Sequence, residues 1–431
     1  MRDKALALLG GKPIVPQALP SGSTIGNVER QAVNRVIDSG DLSGFIASPG
    51  NAFLGGVEVR ALEKEWEDYF GVPHAISVNS ATSGLHVSLL ALGVEPGDEI
   101  IVPPFTMSAT ATTVLFCGAI PRFADIEENY YTIDPSKVES LINAKTKGIV
   151  AVNLFGGACD LTKLRNVANK HGLFLLEDNA QAPAGKLNGK FLGTIGDAGV
   201  FSLNRHKAIQ SGEGGVIVTK CGKVAQKSQC LRNHGENVVE QFKIDDISNT
   251  LGLNYRMTEI EAAIARAQLE RLDAITEERI SQAQYLSEAL KDIEGISPPK
   301  IRENSRHVFY FFPIDFNESI VGIPRHLFCA AISAEGIPIR SGYVKPLYLE
   351  PLYQRKIAFG NKGFPFSLSK KNSTLNYSKG ICPVTETMQD QRIIVTDFIR
   401  HGILEEHLEQ FVASFHKVLA NKRELLAKHN I

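Results

Sequence analysis

The residue that is most clearly suited to chemistry lies near the middle of the chain. Lys207 follows an apolar run at residues 198–203 and precedes the turn Gly212-Glu213-Gly214-Gly215. Burial and the neighbouring Arg205 and His206 would each lower the pKa of this amine towards the range that a nucleophile needs. A lone lysine is usually a solvated surface charge, so Lys207 gains weight only together with other segments.

Two acids follow another apolar run, at the end of residues 173–176. Glu177 and Asp178 stand there, before Asn179-Ala180-Gln181. A carboxylate at the end of a buried strand can hold a heterocyclic nitrogen in its protonated form, which a pyridine electron sink requires. A helix-capping aspartate is the alternative interpretation of this segment by itself.

A third segment, residues 79–85, joins a predicted strand to a predicted helix. Its small side chains leave backbone N–H groups free to face an anion, and the helix dipole adds positive potential. Thr82 and Ser83 could also donate hydroxyl groups. The segment is compatible with a phosphate site, although by itself it is more typical of an ordinary helix N-cap.

All three segments end predicted strands of one α/β unit. Apolar runs without polar alternation indicate strands that are buried on both faces of a largely parallel sheet, and helical patterns lie between several of them. Ligands in such sheets bind beyond the carboxyl ends of the strands. The predicted strands are residues 74–79, 99–103, 120–125, 149–155, 173–178, 198–203 and 214–220.

Domain organisation follows from a change of pattern late in the chain. Residues 255–293 form a long helical stretch with almost no Gly or Pro, and shorter elements follow Gly295. We therefore predict a large domain over residues 1–280, which includes an N-terminal arm, and a small C-terminal domain over residues 281–431. Residues 405–428 are predicted to form one amphipathic helix.

Composition excludes several classes of protein. Among 431 residues, 43% are apolar and the formal net charge is −1, so nothing recruits nucleic acid or an anionic membrane. Six separated cysteines without a C-x-x-C pair indicate reduced thiols and no metal site. With no apolar span of about 18 residues and no signal-peptide core, we expect a cytoplasmic protein. No G-x-G-x-x-G turn follows the first predicted strand of the sheet, which weighs against a nicotinamide oxidoreductase.

Five ordered motifs resemble the DegT/DnrJ/EryC1/StrS family of sugar aminotransferases, from about residue 20 to 420. That family is built on the fold type I architecture of enzymes that use pyridoxal 5′-phosphate (PLP). The resemblance implies a mostly parallel seven-stranded sheet between helices and a smaller C-terminal α+β domain. The matching segments are Ser80-Ala81-Thr82-Ser83-Gly84-Leu85-His86, Glu177-Asp178-Asn179-Ala180-Gln181, Phe201 to Gly215, Leu231-Arg232-Asn233-His234-Gly235 and Asn254 to Ile264.

The resemblance also implies roles for individual residues. Lys207 would be the Schiff-base lysine that bonds to PLP and carries the proton, and Asp178 would bind the pyridinium nitrogen. The active unit would be a homodimer with shared sites, in which Asn254 reaches the phosphate of the partner's cofactor. The remaining implied contacts are Gln181 near the ring hydroxyl, Thr82, Ser83 and Ser202 at the phosphate, and Met107 against the ring, where the family usually has an aromatic residue.

The expected reaction is amino transfer from glutamate or glutamine to a keto-sugar. A basic, aromatic stretch between Pro351 and Thr385, without acidic residues, favours a nucleotide-linked sugar and is predicted to face the mouth of the active site. The N-terminal Leu8-Leu9-Gly10-Gly11-Lys12-Pro13 resembles relatives that act on keto-inositols, so a keto-cyclitol stays open. A PLP-dependent sugar dehydratase and a regulator that binds PLP or a sugar without turnover are further alternatives.

Overall fold

A computed structural model describes residues 5–368 and 375–429 of the protein. The helices of this part are α1 (Asn27–Ser39), α2 (Val57–Phe70), α3 (Ala81–Ala91), α4 (Ala109–Phe116), α5 (Pro135–Glu139), α6 (Leu161–His171), α7 (Gly222–Arg232), α8 (Glu259–Leu269), α9 (Leu272–Leu290), α10 (Glu318–Val321), α11 (Arg325–Ala334), α12 (Pro351–Gln354), α13 (Pro383–Thr387), α14 (Glu405–Ala420) and α15 (Lys422–Lys428). The strands are β1 (His74–Val78), β2 (Glu99–Val102), β3 (Ile120–Phe123), β4 (Thr146–Val152), β5 (Phe174–Asp178), β6 (Lys186–Leu187), β7 (Lys190–Phe191), β8 (Ala198–Ser202), β9 (Gly215–Thr219), β10 (Ile296–Ser297), β11 (Ser305–Arg306), β12 (Phe312–Phe316), β13 (Arg340–Ser341) and β14 (Ile393–Thr396).

The main sheet has seven strands in the order β1-β9-β8-β5-β4-β2-β3. Strand β9 pairs antiparallel with β1 and β8, and the other pairs are parallel. All seven strands predicted from the sequence are present, which confirms the mostly parallel sheet. The largest displacement is β4, which begins at Thr146 and ends at Val152 because Phe155 adopts a left-handed conformation (φ 57°) that continues no strand.

Helices cover both faces of the main sheet. Ile76, Ile100 and Val200 belong to the buried cluster under α3, α4 and α7. Neighbouring positions on two of these strands point the other way, and Ala75 and Phe201 pack with the side chains of α2 and α8. Burial on both faces explains why these strands carry apolar runs instead of alternation.

The C-terminal half contains a second, antiparallel sheet in the order β10-β12-β14-β13, packed with α11 and α14. The N-terminal segment lies against this half: Leu6 and Val15 are buried in its core, and Glu335 accepts hydrogen bonds from the N–H groups of Ala7 (2.8 Å) and Ile14 (3.1 Å). Helix α9 passes through residue 280 without a break, so the predicted division there stays a prediction.

Two predicted helices are each divided in the structure. In the predicted helical stretch over residues 255–293, α8 ends at Leu269 and α9 starts at Leu272. Between them Arg271 leaves helical geometry and its guanidinium binds the Thr24 carbonyl and Glu29, so a tertiary contact sets the break. The C-terminal helix likewise divides at Asn421, between α14 and α15.

The basic, aromatic segment does not line the lysine site in the part that the structure describes. Tyr353, Phe366 and Tyr377 are buried around Phe123 of the edge strand β3, and the Tyr377 hydroxyl donates to the carbonyl of Pro121 (2.8 Å). These rings cover a sheet edge that would otherwise expose unpaired backbone groups, so these three have a structural role, and the prediction that the segment faces the mouth of the active site stays a prediction. Lys370 and Lys371, two of the basic residues of this segment, lie outside the described residues.

The six cysteines are all free thiols, five of them buried. Within residues 5–368 and 375–429, no helix combines the length and the apolar character that crossing a bilayer would require.

A buried ion pair fixes the strand that leads to the residue 79–85 turn. Arg232 of α7 is fully buried, and its Nη1 donates to Glu63 of α2 and to the carbonyl of Ser77 on β1 (3.1 Å). Glu63 also accepts from the N–H (2.8 Å) and hydroxyl (2.9 Å) of Ser77. Three elements are therefore joined around one charge pair.

Glu63→Ala is expected to destabilise the protein by about 3–5 kcal/mol, because it leaves the Arg232 guanidinium buried without its counter-ion. Urea unfolding followed by circular dichroism measures the change. Lys64→Ala on the same helix, which removes an exposed pair with Asp68, is the control and should leave the unfolding midpoint unchanged. Equal midpoints for Glu63→Ala and wild type would contradict this account of the pair.

Candidate active site

Residues at the carboxyl edge of the main sheet enclose a cavity of about 200 Å³. Strands β1, β2, β4, β5 and β8 end here, and β9, running the other way, begins here. The three segments singled out by their chemistry therefore converge on one site. Of the predicted site residues, those lining the cavity are Thr82, Met107, Asp178, Gln181, Ser202 and Lys207.

Lys207 lies on a tight loop between β8 and β9. Its N–H donates to the carbonyl of Asn204 (2.9 Å), and Asn204 pairs with Gly212 across the loop. Burial lowers the pKa of the Lys207 amine to about 8, and the negative charge of Asp178 opposes that shift. Burial, and not the neighbouring Arg205, is thus the cause of the lowered pKa.

The Nζ atom of Lys207 rests on an aromatic face. It lies 4.3 Å from the ring centre of Tyr310, which comes from the loop before β12. Among the residues that the structure describes, this amine makes no hydrogen bond or ion pair. The Tyr310 ring therefore restricts the position of the amine without forming a hydrogen bond with it.

Asp178 ends β5 and is buried. Its Oδ2 accepts from the Thr110 hydroxyl (2.8 Å) and its Oδ1 accepts from the Ala180 N–H (3.2 Å). Burial raises the pKa of this carboxyl, while those two hydrogen bonds and the Lys207 charge lower it. A carboxylate accepts up to about four hydrogen bonds, so Asp178 keeps capacity for a cationic partner in the cavity.

Glu177, the other acid of the pair, has a structural role. It points away from Asp178, as alternation along a strand requires, and is fully buried. Its two oxygens accept from the N–H groups of Gly193 (2.7 Å), Ile195 (2.7 Å) and Gly196 (2.6 Å). These bonds shape the loop before β8 and leave Glu177 outside the cavity lining.

Gln181 joins the site to the C-terminal half. Its Oε1 accepts from the Phe155 N–H (2.8 Å), and its Nε2 donates to the Tyr343 hydroxyl (3.1 Å). Because both ends of the amide are held, its orientation towards the cavity is fixed before any ligand arrives.

The turn that starts α3 is compact. Ser80 caps the helix by accepting from the Ser83 N–H (3.1 Å). A Cβ on Gly215 of β9 would lie 2.7 Å from the backbone N of Ala81, and one on Gly84 would lie 2.8 Å from Val200. Glycine at both positions lets the helix N-terminus approach the sheet, which places the Thr82 side of the turn at the cavity.

Two predicted ligands lie elsewhere in this chain. Ser83 does not line the cavity, because its hydroxyl donates to Asn79 Oδ1 (2.6 Å) and its N–H is taken by the cap. Ser80, which was not selected from the sequence, lines the cavity in its place. Asn254 is exposed, accepts from Arg256 Nε (2.9 Å) and is not part of the lining, so any contact with a cofactor would have to be made with another subunit.

Sequence reasoning missed Tyr310, Thr110 and Tyr343. An aromatic run at residues 309–311 is visible in the sequence, but nothing in its spacing connects it to a lysine about a hundred positions earlier. Thr110 lies on α4, one turn after the predicted Met107, and helical spacing could have identified it as a neighbour.

Comparison with known proteins agrees with this arrangement. Residues 44–396 match the model of the DegT/DnrJ/EryC1/StrS aminotransferase family. The spore coat polysaccharide biosynthesis protein SpsC of Bacillus subtilis (strain 168) is 32% identical over 385 residues, which cover 88% of this chain and 94% of that protein. A Streptomyces kanamyceticus protein, named as a proposed L-glutamine:3-amino-2,3-dideoxy-scyllo-inosose aminotransferase, is 30% identical over 98% of this chain and 99% of its own.

Among solved structures, DesI in the presence of its TDP-sugar product is similar with a TM-score of 0.81 and 27% identity, over 100% of both chains. The family model spans most of the chain, and the cavity holds the lysine and the aspartate that the motifs predicted. The chain therefore belongs to the DegT/DnrJ/EryC1/StrS aminotransferase family and is a PLP-dependent aminotransferase.

Proposed function

We propose that this protein transfers an amino group from glutamate or glutamine to a keto-sugar, with Lys207 as the residue that moves the proton. The observation that supports this most directly is the shared cavity of Lys207 and Asp178, a nucleophilic amine and a buried carboxylate beside a helix N-terminus. That combination matches what amino transfer requires of the protein: a base, a partner for a positive ring nitrogen and an anion site.

The residues around the cavity fit PLP. Asp178 would hold the pyridinium nitrogen, Lys207 would bind the aldehyde carbon, and Thr82 and Ser202 with the N-terminus of α3 would hold the phosphate. Met107 lines the same cavity and would pack its sulfur against the ring. When bound, PLP supplies an electron sink for the carbon that loses its proton.

Lys207 is suited to move that proton. With a pKa of about 8, its Nζ is neutral in a useful fraction of molecules near neutral pH and can accept a proton and return it. Tyr310 keeps the amine on one side of the cavity through contact with its ring face. Transfer is thereby directed to a single face of the substrate.

Asp178 would keep a positive ring nitrogen in place. Because burial makes its ionised form costly, a cation in the cavity stabilises the carboxylate, and the carboxylate in turn stabilises the cation. The hydrogen bonds from Thr110 and Ala180 hold the carboxylate in one orientation.

For the acceptor we propose a nucleotide-linked keto-sugar, with a keto-cyclitol as the alternative. DesI, with its TDP-sugar product, supports the first, and the Streptomyces kanamyceticus relative supports the second. We further propose a homodimer in which Asn254, exposed in one subunit, meets the partner's phosphate site.

Wild-type protein loaded with PLP is expected to convert one equivalent of L-glutamate to 2-oxoglutarate in a single turnover, and Lys207→Ala to be slower by about 10²–10⁴-fold because the proton carrier is lost. Rapid-quench chromatography measures the keto acid. Lys223→Ala, an exposed lysine on α7, is the control and should match wild type.

Mass spectrometry of the product from nucleotide-linked keto-sugars and keto-inositols then identifies the acceptor. An aminated product supports the proposal, whereas loss of a hydroxyl with release of ammonia would identify a dehydratase. A wild-type protein that binds PLP but converts neither glutamate nor glutamine would contradict the proposed reaction.

The lowered pKa of Lys207 gives a prediction that needs no turnover. In protein freed of cofactor, the Lys207 peptide should become reactive towards acetic anhydride with a midpoint about pH 8, instead of the ordinary 10.5, because burial disfavours the protonated amine. Asp178→Asn should move the midpoint lower still, since the charge that opposes the shift is gone. Competitive labelling with mass spectrometry measures both midpoints, and a midpoint at the ordinary value would refute the assigned environment.

A further inference from the structure

A second cavity, of about 610 Å³, lies beside Lys207 between the N-terminal segment and the C-terminal half. Residues 21–23 form part of its wall, and His206 and Lys207 border both cavities. One acidic side chain, Asp397, appears in its described lining. We name it the arginine cavity, because its lining includes Arg205, Arg279, Arg340 and Arg400.

Arg279 is a buried charge without a carboxylate partner. Its side chain is 9% exposed, and its hydrogen bonds go to the carbonyls of Phe309 (3.1 and 2.9 Å) and Tyr310 (2.8 Å). Burial lowers the pKa of this guanidinium to about 10, so it stays charged at neutral pH. In the part of the chain that the structure describes, it forms no ion pair, and such a charge is costly unless a ligand neutralises it.

Arg340 is held by rings and not by acids. Its Cζ lies 5.1 Å from the ring centre of Phe311 and 6.0 Å from that of Tyr343. It is exposed, and within the described ranges no carboxylate pairs with it. Stacking orients the planar guanidinium and leaves its N–H groups available to an anion.

The other two arginines are also weakly neutralised. Arg400 approaches Asp397 at 4.0 Å, and its buried Nε has no hydrogen-bond partner. Arg205 is exposed and pairs with no carboxylate of the described residues. The arginine cavity therefore carries an excess of positive charge, which is what an anionic group requires of its site.

Tyr310 separates the arginines from the reacting amine. Its ring contacts Lys207 Nζ, while its carbonyl binds Arg279. Burial and Tyr343 raise the pKa of its hydroxyl, and the charges of Arg279 and Arg340 partly oppose this. Lys207 and the four arginines thus border one cavity, and Tyr310 contacts both Lys207 and Arg279.

We propose that the arginine cavity binds an anionic substituent located beyond the reacting carbon of the substrate, with Arg340 as a specificity-determining residue. This rests on the proposed function, because it places a second portion of that substrate. The phosphate of a nucleotide-linked keto-sugar and the side-chain carboxylate of glutamate are the two sources of such a group. A neutral cyclitol has none.

Titration calorimetry of the PLP-loaded protein with inorganic pyrophosphate, and separately with glutarate, tests this. At least one probe is expected to bind, and Arg340→Gln should weaken it by about tenfold or more because a charged hydrogen-bond donor is lost. Arg340→Lys should weaken it less, since the charge remains. Arg423→Gln, an exposed arginine on α15 away from the cavity, is the matched control and should bind as wild type does.

The outcomes separate the two sources. Pyrophosphate binding that depends on Arg340 identifies a phosphate site, and glutarate binding that depends on Arg340 identifies a donor site. Binding of neither probe, or equal affinity in wild type and Arg340→Gln, overturns the proposal. If glutamate is still converted to 2-oxoglutarate in that case, the proposed amino transfer stands and the arginine cavity alone is refuted; if glutamate is not converted, the proposed function fails on its own measurement.

Discussion

Removing charged groups from water at one edge of the main sheet is the constraint on which the rest of the site depends. Glu177 and Asp178 lie next to each other at the end of β5 and are both buried, but their surroundings differ. Glu177 is satisfied by three backbone N–H groups, so it is chemically inert and structurally useful. Asp178 accepts two hydrogen bonds, and Lys207 Nζ donates none to the residues that the structure describes, so both keep the capacity to bind a ligand. If Asp178 and Lys207 made all the hydrogen bonds open to them within the protein, they would have no capacity left to bind a ligand.

Close packing of backbone makes this arrangement possible. Strand β9 runs against the direction of its neighbours, so it begins at the edge where β1 and β8 end. Gly215 and Gly84 then allow β9, β8 and α3 to approach one another at distances that a side chain would block. The helix N-terminus consequently lies against the sheet, and Ser80, Ala81 and Thr82 line the cavity.

The C-terminal half completes the site from the other side. Tyr310 supports the lysine, Tyr343 fixes Gln181, and Arg279 of α9 holds the loop that carries Tyr310. Helix α9 is continuous with both halves, and the N-terminal segment packs on one half before it passes the arginine cavity. The geometry of Lys207 thus depends on contacts from residues far away in the chain. The position of its amine is therefore coupled to the packing between the two halves.

The sequence alone determined the sheet and the chemistry of three of its strand ends. Apolar runs identify strands buried on both faces, because no polar alternation is tolerated there, and local motifs identify Lys207, Asp178 and Gln181 because each motif is contiguous. The tertiary structure decided what depends on side-chain direction and on contacts between distant segments. It separated Asp178 from Glu177, replaced Ser83 by Ser80 at the cavity, divided the helix at Arg271 and brought Tyr310 to the lysine. It also placed the aromatic residues Tyr353, Phe366 and Tyr377 over a sheet edge. The sequence could not show this, because a buried ring and a ring that binds substrate are the same residue types.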